Sequence, residues 1–311
     1  MRIRPAAVIG VTTALLTSLL SGCGLFTDNA QEQLKKILDA TGNDITGMRV
    51  TFSKTKKVNV SVISVKDGKL VSTRLNNGKP ITEDSQYPSF AAVGAVNSDK
   101  FLLDSHVALA NELFDVNSCP AVVVTSLATP TGSTAAFAEC LADPLTRVNE
   151  RSTLDGESFF IPAIDPQSAE NLDTLKQAYT KVLGTSAVNS LSYSFTDKTF
   201  AINGPTTTNT LGEQCSPVVT ARSSESTTPF PVLCRVGAAA GSQPFDLNNF
   251  STAAMAQVIA AVQNSDVLDK TSLGSITFRA DGENLGWEMS TTNTGDVAGH
   301  RDLLRGTITA S

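Results

Sequence analysis

Ala169-Glu-Asn-Leu-Asp-Thr-Leu-Lys-Gln-Ala-Tyr-Thr-Lys-Val-Leu183, then Gly184, then Leu191-Ser-Tyr-Ser-Phe195 and Phe200-Ala-Ile202, is the stretch that decides the fold. Leu172, Leu175, Tyr179, Val182 and Leu183 recur at helical spacing and make one apolar face. Gly184 stands where a helix stop belongs. Beyond it the period drops to two, and Thr196-Asp197-Lys198 separates two alternating runs, the pattern of a hairpin. A helix with one apolar stripe next to a sheet with one apolar face predicts an α+β fold, helices packed on antiparallel sheets.

The same plan recurs. Residues 27–41 predict a helix with Asp28 or Asn29 as cap, Leu34, Ile37 and Leu38 on one face, and Gly42 past its end. Alternating runs at 48–52, 58–62 and 70–75 follow, broken by a lysine-rich turn and by Asp67-Gly68, a meander of three strands. Near the C-terminus Ser251 can cap a helix holding Met255, Val258, Ile259 and Val262. Runs at 273–278 and 284–289 then flank Asp281-Gly282, a strong hairpin signal. Three helix-plus-hairpin units point to an internal duplication. A further helix over 100–114 is apolar nearly all round and is expected to be buried.

Four of the five cysteines allow three connectivities. Cys119–Cys140 and Cys215–Cys234 are favoured, because the two segments resemble each other. Cys119-Pro-Ala-Val-Val-Val-Thr125 and Cys215-Ser-Pro-Val-Val-Thr220 each open a β-branched run, followed by a turn-rich stretch and a return strand. No C-x-x-C spacing occurs, so structural bridges are expected rather than a redox pair.

The fifth cysteine has a different setting. Arg2 and Arg4 precede an apolar run from Ala6 to Leu20, and Leu20-Ser21-Gly22-Cys23 follows, the three-part layout of a secretory signal. The run is too short and too rich in threonine to span a bilayer. The last four residues resemble the lipobox of bacterial lipoproteins. That resemblance implies removal of residues 1–22, attachment of diacylglycerol to the Cys23 thiol, and a cell-membrane location on the extracytoplasmic side. The Ala/Thr/Ser-rich composition with disulfides is similar to envelope proteins of high-GC Gram-positive bacteria, such as the actinobacteria. The expected organisation is a signal peptide at 1–22, a tether at 23–30, one α+β half at 31–147, a connector at 148–167 and a second half at 168–311. Phe159 and its neighbours in Ser158-Phe-Phe-Ile-Pro162 are too apolar for a free linker and are expected to pack across the junction. The units also resemble, loosely, PepSY-type and similar small envelope domains, and that likeness carries no residue assignments.

The formal charge is −6, and Arg2 and Arg4 belong to the signal, so the exported body is more acidic still. Such a surface is repelled by anionic lipid, which leaves the acyl chains to hold it and favours a second contact with an envelope protein. There is no basic stripe, and Lys54, Lys56 and Lys57 read as a solvated turn, so nucleic acid is not an expected partner.

Signals for chemistry are absent from the pattern. His106 lies in the apolar helix and reads as structural, and His300 reads as a surface residue. With the cysteines committed to bridges, neither metal nor cofactor is expected. Gly156-Glu157-Ser158-Phe159 continues with Phe160 where a nucleophile elbow needs glycine. Ser53-Lys54-Thr55-Lys56 fits S-x-x-K by letter, but falls at a strand end instead of on a helix. Glu83-Asp84 are chain neighbours, which rarely face one site. Trp287 alternates with Leu285 and Met289 and is expected to pack in the core. The expected role is therefore non-enzymatic, a binding or scaffolding module of the cell envelope such as an accessory subunit of a membrane complex. The alternative is a lipid or glycolipid carrier.

Overall fold

The computed structural model describes residues 24–55, 57–85, 94–117, 119–141, 146–227, 233–236, 243–265, 268, 273–291 and 304–309. The first half runs α1 (Gly24–Thr41), β1 (Asp44–Ile45), β2 (Gly47–Ser53), β3 (Val58–Lys66), β4 (Lys69–Asn76), β5 (Lys79–Asp84) and β6 (Val96–Asn97). It continues with α2 (Leu103–Asn117), β7 (Ala121–Ala128), β8 (Thr134–Cys140), β9 (Thr146–Leu154) and β10 (Glu157–Ser158). The second half runs α3 (Ala169–Leu183), β11 (Ala187–Val188), β12 (Ser190–Ser194), β13 (Thr199–Asn203), β14 (Thr207–Thr208), β15 (Gln214–Arg222), β16 (Leu233–Val236) and β17 (Phe245–Asp246). It ends with α4 (Thr252–Gln263), β18 (Leu273–Asp281), β19 (Asn284–Thr291) and β20 (Arg305–Ile308). The fold is α+β, and every strand pair is antiparallel.

Each half builds one sheet. The first has the order β10-β9-β8-β7-β2-β3-β4-β5. In the second, β20, β19, β18, β12, β13 and β15 follow one another, with β14 continuing β13 along the same edge of β15 and β16 on the other edge. Strand for strand, the order from β9 to β5 is repeated from β20 to β16. A small latch is repeated too. Asn97 accepts from the Asp99 amide at 3.0 Å and Asp246 from the Asn248 amide at 2.8 Å, each opening a short 3-10 turn before the second helix. The turn amides of Ser98 and Leu247 donate back to Asn43 and Ser186, which ties the second helix of each half to the end of the first.

One face of each sheet is covered by its helix pair. Met48, Val50 and Phe52 of β2 point at α1 and α2 and have no exposed surface. Leu191 and Tyr193 of β12 are buried under α3 and α4, with Phe200, Ile202, Ile276 and Phe278 beside them. Complete burial of such side chains contributes about 1.5–3 kcal/mol each. The back of the first sheet also buries a smaller cluster, Ile63, Leu127, Ala135, Phe137 and Leu154, against which Phe159 and Leu211 pack. Phe159 also packs on the second core, so its ring touches both halves across the junction. Gly184, at φ +67, closes α3 in the left-handed conformation, and a Cβ there would come within 2.7 Å of the Thr131 methyl in the β7–β8 turn.

Four expectations need correction. The sequence shows three helix-plus-hairpin units, but the structure has four, since α2 with β7–β9 forms one as well. The two cysteine segments are not copies: Cys119–Cys140 joins the flanks of β7 and β8, whereas Cys215–Cys234 joins β15 and β16, which stand in the places of β4 and β5. The expected connector at 148–167 is only partly one, because β9 and β10 belong to the first sheet; their polar sequence reflects an edge position. The expected tether at 23–30 is also structured from Gly24 onward: α1 begins there, and Ala30 is completely buried.

The bridges close loops with sequence separations of 21 and 19, so removing either one should cost about 3 kcal/mol. C119S/C140S and C215S/C234S, followed by urea unfolding, should show losses that add, because the bridges lie in different halves. F159A should cost about 2 kcal/mol and split the urea transition measured by fluorescence and by circular dichroism, since it cuts the contact joining the two cores.

Candidate functional site

His106 is the buried titratable group of the first half. It sits in the first turns of α2 and is 2% exposed. A carbonyl only accepts, so Nδ1 carries the proton and donates to Leu102 O at 2.7 Å. Nε2 then accepts from the Ser126 hydroxyl at 2.9 Å. Desolvation holds its pKa down at about 4, against a smaller upward effect of the Leu102 carbonyl, so the ring is neutral at pH 7. The corresponding place in the second half explains this pair. His106 follows Phe101 by five residues as Met255 follows Phe250, and Ser126 pairs with Met48 as Phe278 pairs with Leu191. A polar couple thus fills the volume taken by Met255 and Phe278. It is satisfied and enclosed, which makes it a packing element and leaves it no route to a substrate.

The other candidate residues are dispersed. The four paired cysteines form the two expected bridges. Cys23 and His300 lie outside the described residues. Ser53 Oγ lies 2.9 Å from the Thr55 hydroxyl and accepts from the Lys57 amide at 3.2 Å, so it shapes the β2–β3 turn. Arg74 pairs with Glu83 at 3.0 Å across two strands. Trp287 packs at the rim of the second core, lying over Gly306, where a Cβ would come within 2.7 Å of the indole nitrogen. Tyr179, which the sequence shows only as a helix-face residue, donates to Ala187 O at 2.7 Å; burial pushes its phenol pKa up. Among the described residues no group of three or more His, Cys, Asp or Glu is placed to hold a metal ion. No described helix is long and apolar enough to cross a membrane.

The surfaces are more informative than the buried groups. The back of the second sheet is open and polar: Ser190, Ser192 and Ser194 of β12 alternate away from the core, and Thr277, Arg279, Glu288, Arg305 and Thr307 continue that face. A groove of about 540 Å³ runs over β18–β20 there, with the Arg279 and Arg305 guanidinium groups and the Asp281 and Glu288 carboxylates along it. A second groove of about 600 Å³ lies between α1 and the start of α2, floored by Leu34, Leu38, Phe101 and Leu102 and edged by Asp39 and Asp104. Both are open to solvent.

No family model matches the sequence, and no curated protein matches it significantly. Among solved structures the chain is aligned with the β clamp of Helicobacter pylori in complex with 3,4-difluorobenzamide, at 10% identity and a TM-score of 0.14. That alignment covers 90% of this chain and 66% of that one, just under two thirds of its length.

The depressed His106 pKa sets a pH dependence. Neutral imidazole is favoured in the fold, so its contribution is complete above the unfolded value near 6.5. It is lost as the pH falls from there towards 4, and amounts to about 3 kcal/mol in full. The double variant H106M/S126A, which copies the apolar character of the second half, should flatten urea-unfolding stability between pH 6.5 and 4 while changing it by less than about 1 kcal/mol at pH 7.

Proposed function

We propose that this chain is an extracytoplasmic lipoprotein, anchored through a diacylglycerol on Cys23, that acts as a non-enzymatic binding or scaffolding module of the cell envelope. The observation that carries this reading is the passage from the lipobox into the fold without slack. Gly24, next to Cys23 in the chain, already opens α1, and α1 is packed on β3 by Gln33, which donates to Val58 O at 2.8 Å and accepts from the Val60 amide at 3.1 Å. An anchor here would hold a rigid body. The two bridges fit an oxidising compartment. The open polar back of the second sheet supports the binding role, since the corresponding face of the first sheet is partly covered.

The apolar floor of the α1–α2 groove favours a second reading, a lipid or glycolipid carrier. Solvent extraction of protein purified from membranes separates the two: stoichiometric lipid beyond the anchor supports a carrier, and its absence leaves the scaffold.

Mass spectrometry of the native protein should find an N-terminal peptide that begins at residue 23 and carries acyl chains, and C23S should leave the membrane fraction. A product still bearing Met1 with an unmodified thiol at Cys23 would overturn the reading. Affinity purification from detergent-solubilised membranes should recover a specific envelope protein, and R279E/R305E should reduce that recovery by roughly tenfold.

A further inference from the structure

The two ends of the first half differ in charge, and the polarity is aligned with α1. Gln33 fixes the early part of α1 beside Val58, so the start of α1 and the β2–β3 turn lie at the same end. The β4–β5 turn, Asn76 to Lys79, comes to that end as well, because β4 runs antiparallel to β3. Lys54, Lys57 and Lys79 are exposed on these turns, and none pairs with a carboxylate among the described residues. The Lys54 amide donates to Pro120 O, the Leu141 amide donates to Ala121 O, and Leu141 leaves 37% of its surface exposed at this end. The Cys119–Cys140 bridge staples the two strand ends that present Pro120 and Leu141. The opposite end carries exposed Asp39, Asp44, Asp67, Asp84, Asp99 and Asp155 against exposed Lys66, Lys69 and Lys100, and so stays net acidic. The second half joins the first from that acidic side, through Gly184 against Thr131 and Phe159 following β10.

We infer that the turns bearing Lys54, Lys57 and Lys79, with Leu141, form a basic foot that seats the first half on an anionic lipid surface and holds the second half away from it. The inference rests on the lipid-anchor reading. The ten residues from Gly24 to Gln33, nine helical rises, span about 14 Å. The reach of the lysine side chains from these turns brings the ammonium groups to within about one Debye length, 8–10 Å, of the headgroups. Close to an anionic surface each such lysine changes membrane partition by about fivefold. The chain as a whole is acidic, so the same field that attracts the foot repels the opposite end, and the two effects select one orientation.

The test uses the full acylated protein in vesicles of phosphatidylcholine alone and with about 30 mol% phosphatidylglycerol, at about 0.05 M salt. Amine-reactive labelling followed by peptide mass spectrometry reads Lys54, Lys57 and Lys79 against Lys198 of the second half. The expected result is flotation with both vesicles and at least about threefold slower labelling of the three lysines on the anionic ones, an effect lost at about 0.5 M salt. Flotation with both but equal labelling overturns the foot and leaves the anchor standing. Failure to float with neutral vesicles overturns the anchor, and the foot with it.

Discussion

Met48, Val50 and Phe52 under α1 and α2, and Leu191, Tyr193 and Phe200 under α3 and α4, make the contact on which the molecule depends. A sheet with one apolar face exposes that face to water unless something broad enough covers it, and one helix of four turns is too narrow for seven or eight strands. Two helices side by side suffice. The Asx latch before α2 and before α4 sets them there, because it ties the entry of the second helix to the exit of the first. The repeated strand order follows from solving that covering problem twice with the same connections.

The halves are equal in topology and unequal in exposure. Behind the first sheet, Ile63, Leu127, Phe137 and Leu154 form an apolar cluster, and Phe159 and Leu211 lie over it. Behind the second, serines, threonines, two arginines, Asp281 and Glu288 face solvent. The first half has thus given its back face to assembly of the chain, while the second leaves its back face open to solvent. The bridges also depart from symmetry. Each cross-links neighbouring strands locally, and neither is needed to hold one half to the other, a task left to Phe159, Leu211 and the Gly184–Thr131 contact.

His106 illustrates how a polar group enters such a core. Its two ring nitrogens find one carbonyl and one hydroxyl, so the cost of burial is met by hydrogen bonds, and the neutral form is the one the site accepts. Tyr179 solves the same problem in the second half with a single bond to Ala187 O. Groups so completely satisfied stiffen a core.

Local chemistry was legible in the sequence. Helical spacing and the Gly184 signal placed α3 to the residue, Ser251 marked the start of α4, and Asp67-Gly68 and Asp281-Gly282 marked real hairpins, because capping and positive φ are decided within a few residues. Asn77-Gly78 was an equally clear turn signal for β5, hidden by the polar composition of that exposed edge strand. The lysine turn at 54–57 was legible as a turn, while its position beside the start of α1 was not. Strand order, the equivalence of His106–Ser126 with Met255–Phe278, and the different places of the two bridges were decided only by tertiary structure. Pairing between distant strands depends on which faces must be buried together, and that condition has no local trace in the order of residues.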